Sequence, residues 1–202
     1  MQIDPLADYY FQHEPQTICG QEVTAITDEY VDNYPSVVDR FFTRYYYIKK
    51  SGSDKSPYQV LFHSNRICLI SLAPEHPAYR QGIASLNFDI GQTDRAKNTV
   101  KGKGKKGGMV LQHDSTLALL TTKSGEVYKI PSCVRSKLVE VNTAFSENPE
   151  SLLTAEEGSN YIAIVLPKPE HCEDIKASLM TQEQYDEYRK QLNETNETEG
   201  EK

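Results

Sequence analysis

Short apolar runs separated by turn residues fill the middle of the chain, and helical spacing occurs only near its two ends. "SVVDRFFTRYYY", from Ser36, places Val37, Val38, Phe41, Phe42 and Tyr45 at steps of one, three and four. That spacing predicts an amphipathic helix with Ser36 as N-cap and Asp39 in the first turn. β-Branched and aromatic runs then take over. "YQVLF" (58–62) and "RICLISL" (66–72) flank the turn "HSN", and "SLNFDI" (85–90) alternates. "APEHPAY", with two prolines, predicts a loop. "TLALLTT" and "EVYKI" predict a hairpin with Lys123 at its tip, where Ser124 and Gly125 supply the turn. "SKLVEV" (136–141) and "YIAIVLP" (161–167) are two more strands, joined through "NTAFSENPESLL", a turn with a short helical stretch. At the far end Thr181 and Gln184 have capping-box spacing, followed by Tyr185, Tyr188 and Leu192 at steps of three and four. Seven or more strands with no helices between them argue against parallel crossover units. The expectation is a mostly-β domain of antiparallel hairpins, closed as a small barrel or stacked as a sandwich.

The organisation follows from where this patterning stops. Residues 1–34 are polar and aperiodic and predict an acidic, flexible leader; residues 35–192 form the β domain; residues 193–202, "NETNETEGEK", predict a disordered acidic tail. Nowhere do eighteen apolar residues run together, so no membrane insertion is expected. The amino end lacks the basic start and apolar core of a secretory signal. Four cysteines, at 19, 68, 133 and 172, form no CxxC pair. Neither zinc nor a dithiol centre is expected, and a reducing intracellular compartment is the natural reading.

Charge changes this picture, because the net charge of −7 hides a partition. Of 29 acids and 22 bases, residues 1–35 hold seven acids and no base, and residues 182–202 hold seven acids and three bases. That leaves 15 acids against 19 bases in residues 36–181. The excess concentrates in "RAKNTVKGKGKKGG" (95–108). This stretch is not a phosphate-binding P-loop: its glycines are spaced otherwise, and no Ser or Thr follows a GK pair at the start of a helix. Lys101, Lys103, Lys105 and Lys106, with Arg95 and Lys97 beside them, form a basic loop that attracts acidic protein, nucleic acid or phospholipid with little discrimination. No aromatic residue interrupts it, which argues against a base-stacking platform. Arg40 and Arg44, four apart on one helix face, and Arg66 and Arg135 are lesser partner-binding candidates. Five histidines, at 13, 63, 76, 113 and 171, sit in no HExxH or GxSxG motif, and "HDST" at His113 is too local to converge as a triad. No catalytic residue is assigned.

Lys123 raises the remaining question, since a lysine on a rigid hairpin tip is what a swinging-arm cofactor requires. "VYKIPSCVRSKLVEVNTAFSENPESL", then "YIAIVLPK" and "LMTQEQYDEYRK", resemble the carboxyl half of the glycine-cleavage H protein. Lys123 stands eight residues before Pro131, as the lipoyl lysine of that carrier does before its proline. The glutamate that the lipoylating enzyme reads three residues earlier is replaced by Leu120. A closer resemblance covers roughly Pro35 to Arg189. "VVDRFFTRYY", "LFHSNRICLISLAPEHP", "SCVRSKLVEVN", "YIAIVLPKPE" and "LMTQEQYDEY", in this order, are similar to the Abitram (Simiate) family. What that resemblance implies is a lipoyl-carrier-like (H-protein-like) barrel-sandwich hybrid with short terminal helices, used without cofactor. It also implies non-enzymatic binding to actin with an effect on its polymerisation, and a place in nuclear speckles, cytoplasm and cell projections. A link to transcription is the further implication, and a nuclear protein or RNA partner is compatible with that location and with the basic loop. A lipoyl carrier modified at Lys123 and a nucleic-acid or chromatin adaptor are the alternatives.

Overall fold

The computed structural model describes residues 16–23, 35–49, 55–103 and 106–199. Most of the predicted leader (1–15 and 24–34) and the last three residues of the predicted tail lie outside the described residues. The chain divides into two units, Met1–Ser36 and Val37–Lys202. In the first, β1 (Gln16–Ile18) and β2 (Gln21–Val23) pair antiparallel. Cys19 and Gly20 between them both have positive φ, which matches the twist of a two-residue hairpin turn.

The second unit opens with α1 (Val37–Phe41) and passes without a loop into β3 (Phe42–Ile48). Helical spacing predicts that the helix continues through Tyr45; the structure turns to a strand at Phe42. The reason is tertiary: β3 pairs with β4 (Pro57–His63) in unbroken register from Phe42↔His63 to Ile48↔Pro57. Aromatic residues fit such a pleated surface as well as they fit a helix. Next come β5 (Cys68–Leu72), α2 (Ala78–Gln81), β6 (Ile83–Asn87), a 3₁₀ turn at Arg95–Lys97, and β7 (Val110–Leu111). The predicted hairpin is β8 (Thr116–Thr122) and β9 (Val127–Pro131), and β10 (Ser136–Val141) follows. Two short helices, α3 (Ala144–Glu147) and α4 (Ser151–Thr154), lead to β11 (Ala163–Leu166). After a 3₁₀ turn at Pro169–His171, the chain ends in α5 (Cys172–Ser178), β12 (Met180–Thr181) and α6 (Gln182–Glu199). The capping box forms: Thr181 N–H donates to Gln184 Oε1 at 3.0 Å, and Gln184 N–H to Thr181 Oγ1 at 3.3 Å.

The strands form a seven-stranded sheet in the order β12-β3-β4-β5-β11-β10-β7 and a three-stranded sheet in the order β6-β8-β9. Neither closes. The expected barrel-sandwich hybrid is therefore corrected to two open sheets, whose edge strands among the described residues are β12 and β7 in the larger and β6 and β9 in the smaller. Closure needs the first and last strands to hydrogen-bond, and β7 spends its short length pairing with β10 alone. Helices also occur between strands and not only at the ends, because α2 to α5 are single turns or little more that leave no long periodic pattern.

The main core lies where the two sheets meet. Val60, Ile70 and Leu138 of the large sheet join Leu86, Leu120 and Ile130 of the small one. β4 is buried along nearly its whole length, since its other face is covered too. There Leu61 and Leu69 pack under Val38 of α1, and Tyr46 and Ala73 pack under Tyr185 of α6. Each such aliphatic side chain contributes about 1.5–3 kcal/mol by leaving water.

Candidate functional site

The basic stretch is built as a small hairpin mounted on an edge of the large sheet. At its entry Asp94 caps the 3₁₀ turn by accepting from Ala96 N–H at 2.9 Å. Asn98 then clamps the stem: its Nδ2 donates to the Leu138 and Val139 carbonyls, each at 3.1 Å, and its Oδ1 accepts from Met109 N–H at 2.9 Å. One side chain thus holds both ends of the hairpin against β10. At Gly107, φ is +86° and an added Cβ would lie 3.1 Å from the Thr99 carbonyl, so a side chain there would force the stem apart. Higher up, Lys101 and Lys106 exchange backbone N–H···O bonds at 2.9 Å in both directions.

That geometry sorts the charges. Lys101, Lys103 and Lys106 are exposed, and among the described residues no carboxylate pairs with them. Lys105 lies outside the described residues. The two basic residues at the entry belong elsewhere. Arg95 donates from Nε to the Thr116 carbonyl at 3.2 Å, and Lys97 pairs with Asp94 at 3.3 Å. Asp94 finds its partner two residues away, but the carbonyls that Asn98 clamps are 40 and 41 residues away in the chain.

The lesser candidates do not join this hairpin. Arg44, on β3, points into an ion-paired network: Nε donates to Glu157 Oε1 at 2.8 Å, Nη2 to Oε2 at 2.5 Å, and Nη1 lies 2.6 Å from Asp39. Gln59 donates from Nε2 to the same Glu157 Oε1 at 2.8 Å, and its Oε1 accepts from the buried Ser71 hydroxyl at 3.2 Å. The hydrogen bond from Arg44 holds the Glu157 carboxyl below its usual range, and burial opposes it. Arg40 lies over the Phe41 ring at 5.2 Å. Arg66 sits in the β4–β5 turn and donates from Nη1 to the Pro167 carbonyl at 3.2 Å. Arg135 is exposed beside a separate cavity that His113, Asp114 and His171 also line.

Lys123 stands at the β8–β9 tip, as the hairpin pattern predicts. Its N–H donates to the Gly82 carbonyl at 3.1 Å, its aliphatic stem crosses Gly82, and its ammonium pairs with Glu150. A Cβ at Gly82 would meet Lys123 Cδ at 3.0 Å. The lysine has the mount of a carrier arm but lacks the glutamate at position 120. Protein isolated from its native cell is expected to carry no lipoyl adduct on Lys123, which peptide mass spectrometry reads directly.

Among the described residues no group of three or more His, Cys, Asp or Glu is placed to hold a metal ion, and no helix is long and apolar enough to cross a membrane. Burial pushes the Cys68 and Cys133 thiols well up, so both pack as protonated side chains. Ser115, beside His113 and Asp114, accepts from Gln112 N–H at 2.9 Å as an ordinary turn residue.

No family model matches the chain. Protein Abitram of Drosophila melanogaster is 65% identical over 191 residues, covering 95% of this chain and 87% of the relative. Protein Abitram of Homo sapiens is 40% identical over 168 residues, covering 81% and 93%. Protein Abitram of Dictyostelium discoideum is 31% identical over 135 residues, covering 65% and 75%. Among solved structures, a glycine cleavage system H protein from Mycobacterium marinum matches with a TM-score of 0.44 and 13% identity, over 72% of this chain and 91% of that one. That likeness is too loose to carry conclusions about fold or function. The sequence relatives are not: identity of this order along most of both chains shows that the chain belongs to the Abitram family.

Proposed function

We propose that the protein is a non-catalytic actin-binding module that modulates actin polymerisation, and that the basic hairpin is the part that meets the filament. The observation that carries this reading is the lysine tip. Three described lysines project from a turn closed by paired backbone bonds and stapled to β10 by Asn98. A filament surface is acidic, and a cationic tip on a rigid mount approaches it with little ordering cost. The resemblance that led to actin also leads to the nucleus, including speckles, and to cytoplasm and cell projections as working locations.

Replacing Lys101, Lys103, Lys105 and Lys106 together by alanine tests the reading. Loop lysines make small contributions to folding, so the melting temperature is expected to stay within a few degrees. Co-sedimentation with filaments at low salt is expected to weaken roughly tenfold or more, and the salt dependence to flatten, because the lost contacts are those that salt screens. Unchanged affinity at both low and physiological salt would falsify the proposal. Loss of RNA binding in the same variant, with filament binding intact, would move the hairpin to the nucleic-acid alternative.

A further inference from the structure

A second surface of different character lies across the large sheet from the basic hairpin. A cleft of about 540 Å³ opens between α1, the β4–β5 turn and α5, and Phe41, His63, Arg66 and Lys176 are among the residues that line it. β3 is five strands from β7 in the sheet order, and β5 is three.

Three features of this cleft have no account in the fold. Phe41 is 49% exposed and Val37, one turn earlier on the same helix, is 67% exposed. The Phe41 ring stacks on His63 at 6.2 Å and 23°, forming an open aromatic ledge. Folding alone would place polar residues there, and aromatic side chains with arginines are the residues that anchor protein interfaces. The second feature is Arg66, which holds φ at +76° in a tight turn. Glycine takes that conformation at lower cost, and a bulky residue kept in it is strained. The strain is not explained by the 3.2 Å bond from Arg66 to the Pro167 carbonyl, an ordinary partly exposed contact. The third is the balance of charge. The two acids that line the cleft are already engaged, Asp39 by Arg44 at 2.6 Å and Glu173 by Lys176 at 2.9 Å. Among the described residues no carboxylate pairs with Arg66.

We infer that this cleft is a docking site for an acidic peptide segment carrying an aromatic or large apolar residue. The apolar side chain lies on the Phe41–His63 ledge, and a neighbouring carboxylate takes the fork of Arg66. A guanidinium suits this role because it pairs a carboxylate with two parallel N–H bonds. The basic hairpin recognises charge with little shape; the cleft adds an apolar requirement, and so selects among acidic partners.

Two substitutions in the full chain separate this role from a structural one. Phe41→Ala removes the ledge. Arg66→Gly removes the guanidinium and also relieves the backbone, so its melting temperature is expected to hold or rise. The probe is a fluorescein-labelled peptide of Asp and Glu with one central Phe, followed by anisotropy. Its controls are the same peptide with Lys in place of the acids and a single-stranded oligouridylate. We expect saturable binding of the acidic peptide, weakened roughly tenfold by either substitution. In the variant lacking the four hairpin lysines, which attract acids whether or not a Phe is present, the roughly tenfold dependence on Phe41 and Arg66 is expected to persist. No saturable binding, equal binding by parent and both variants, or loss of binding only in the four-lysine variant would each overturn the inference. So would preferential binding of the oligouridylate through Phe41 and Arg66.

Discussion

Tyr185→Ala is expected to lower stability by about 3–4 kcal/mol, and the melting temperature by roughly 6–15 °C. Tyr185 is 1% exposed and is the anchor of α6 on the large sheet. Its ring stacks face to face on Tyr46 of β3, with centroids 3.8 Å apart and planes within 6°. Its hydroxyl donates to Glu75 Oε2 at 2.5 Å, and Arg189, one turn further along α6, reaches Glu75 Oε1 at 2.6 Å. Burial first, and then the bond to Glu75, holds the phenol above its usual range, so it stays a neutral donor. Truncation removes the stack and leaves both Tyr46 and Glu75 short of a partner. Tyr185→Phe keeps the ring and loses only the hydroxyl, so it is expected to cost about 1 kcal/mol. Hydrogen exchange locates the effect. In the alanine variant the amides of α6 and β12 should lose protection before those of β4 and β5, because the two sheets keep their own core. A variant in which α6 exchanges as in the parent would show that something other than Tyr185 holds the helix.

Glu157→Ala is the second large effect, expected at about 2 kcal/mol. Glu157 collects hydrogen bonds from Arg44 and Gln59 and so ties the 155–160 turn to β3 and β4. Removing one member of a fully buried pair costs about 3–5 kcal/mol. Here the two side chains keep 26% and 35% of their exposure, and solvent screening reduces the figure. The same bond predicts a pH dependence. The Glu157 carboxyl titrates lower in the folded chain than its ordinary value of about 4.3 in the unfolded one, principally through the hydrogen bond from Arg44. Its contribution is therefore complete above about pH 4.3 and is lost as pH falls through the folded value. Denaturant unfolding at pH 7 and pH 3 should show a smaller acid-induced loss for Glu157→Gln than for the parent. An equal loss in both proteins would place the acid sensitivity in other carboxylates.

Several elements were readable because their determinants are local. The β8–β9 hairpin follows from apolar runs on either side of Ser124-Gly125. The α6 start follows from Thr181 and Gln184, whose reciprocal bonds are set by three-residue spacing alone. The misreading at Phe42–Tyr45 has the opposite cause. Five aromatic and β-branched residues satisfy helical spacing and strand propensity equally, and the choice is made by seven pairings to β4, a strand that begins nine residues after β3 ends. The seven residues of α5 give too short a pattern to separate from a loop. The same limit applied to the site. The lysines of the basic stretch could be named from the sequence, but Asn98, which mounts them, could not, since its carbonyl partners are 40 and 41 residues away. Arg44, placed beside Arg40 by helical spacing, belongs to a strand and turns its charge inward.

By itself, then, the sequence determined the composition of a β-rich domain, the turns and caps whose residues touch near neighbours, the concentration of positive charge at 101–106, and membership in a family legible through several ordered motifs. Tertiary structure alone decided whether the sheets close, which of the arginines face a partner and which an internal acid, and that an exposed phenylalanine and a strained arginine share one cleft. The physical reason is one of range. Propensity and capping act over three or four residues of chain, whereas sheet edges, ion-pair networks and clefts depend on which distant segments reach hydrogen-bonding distance once the core has formed.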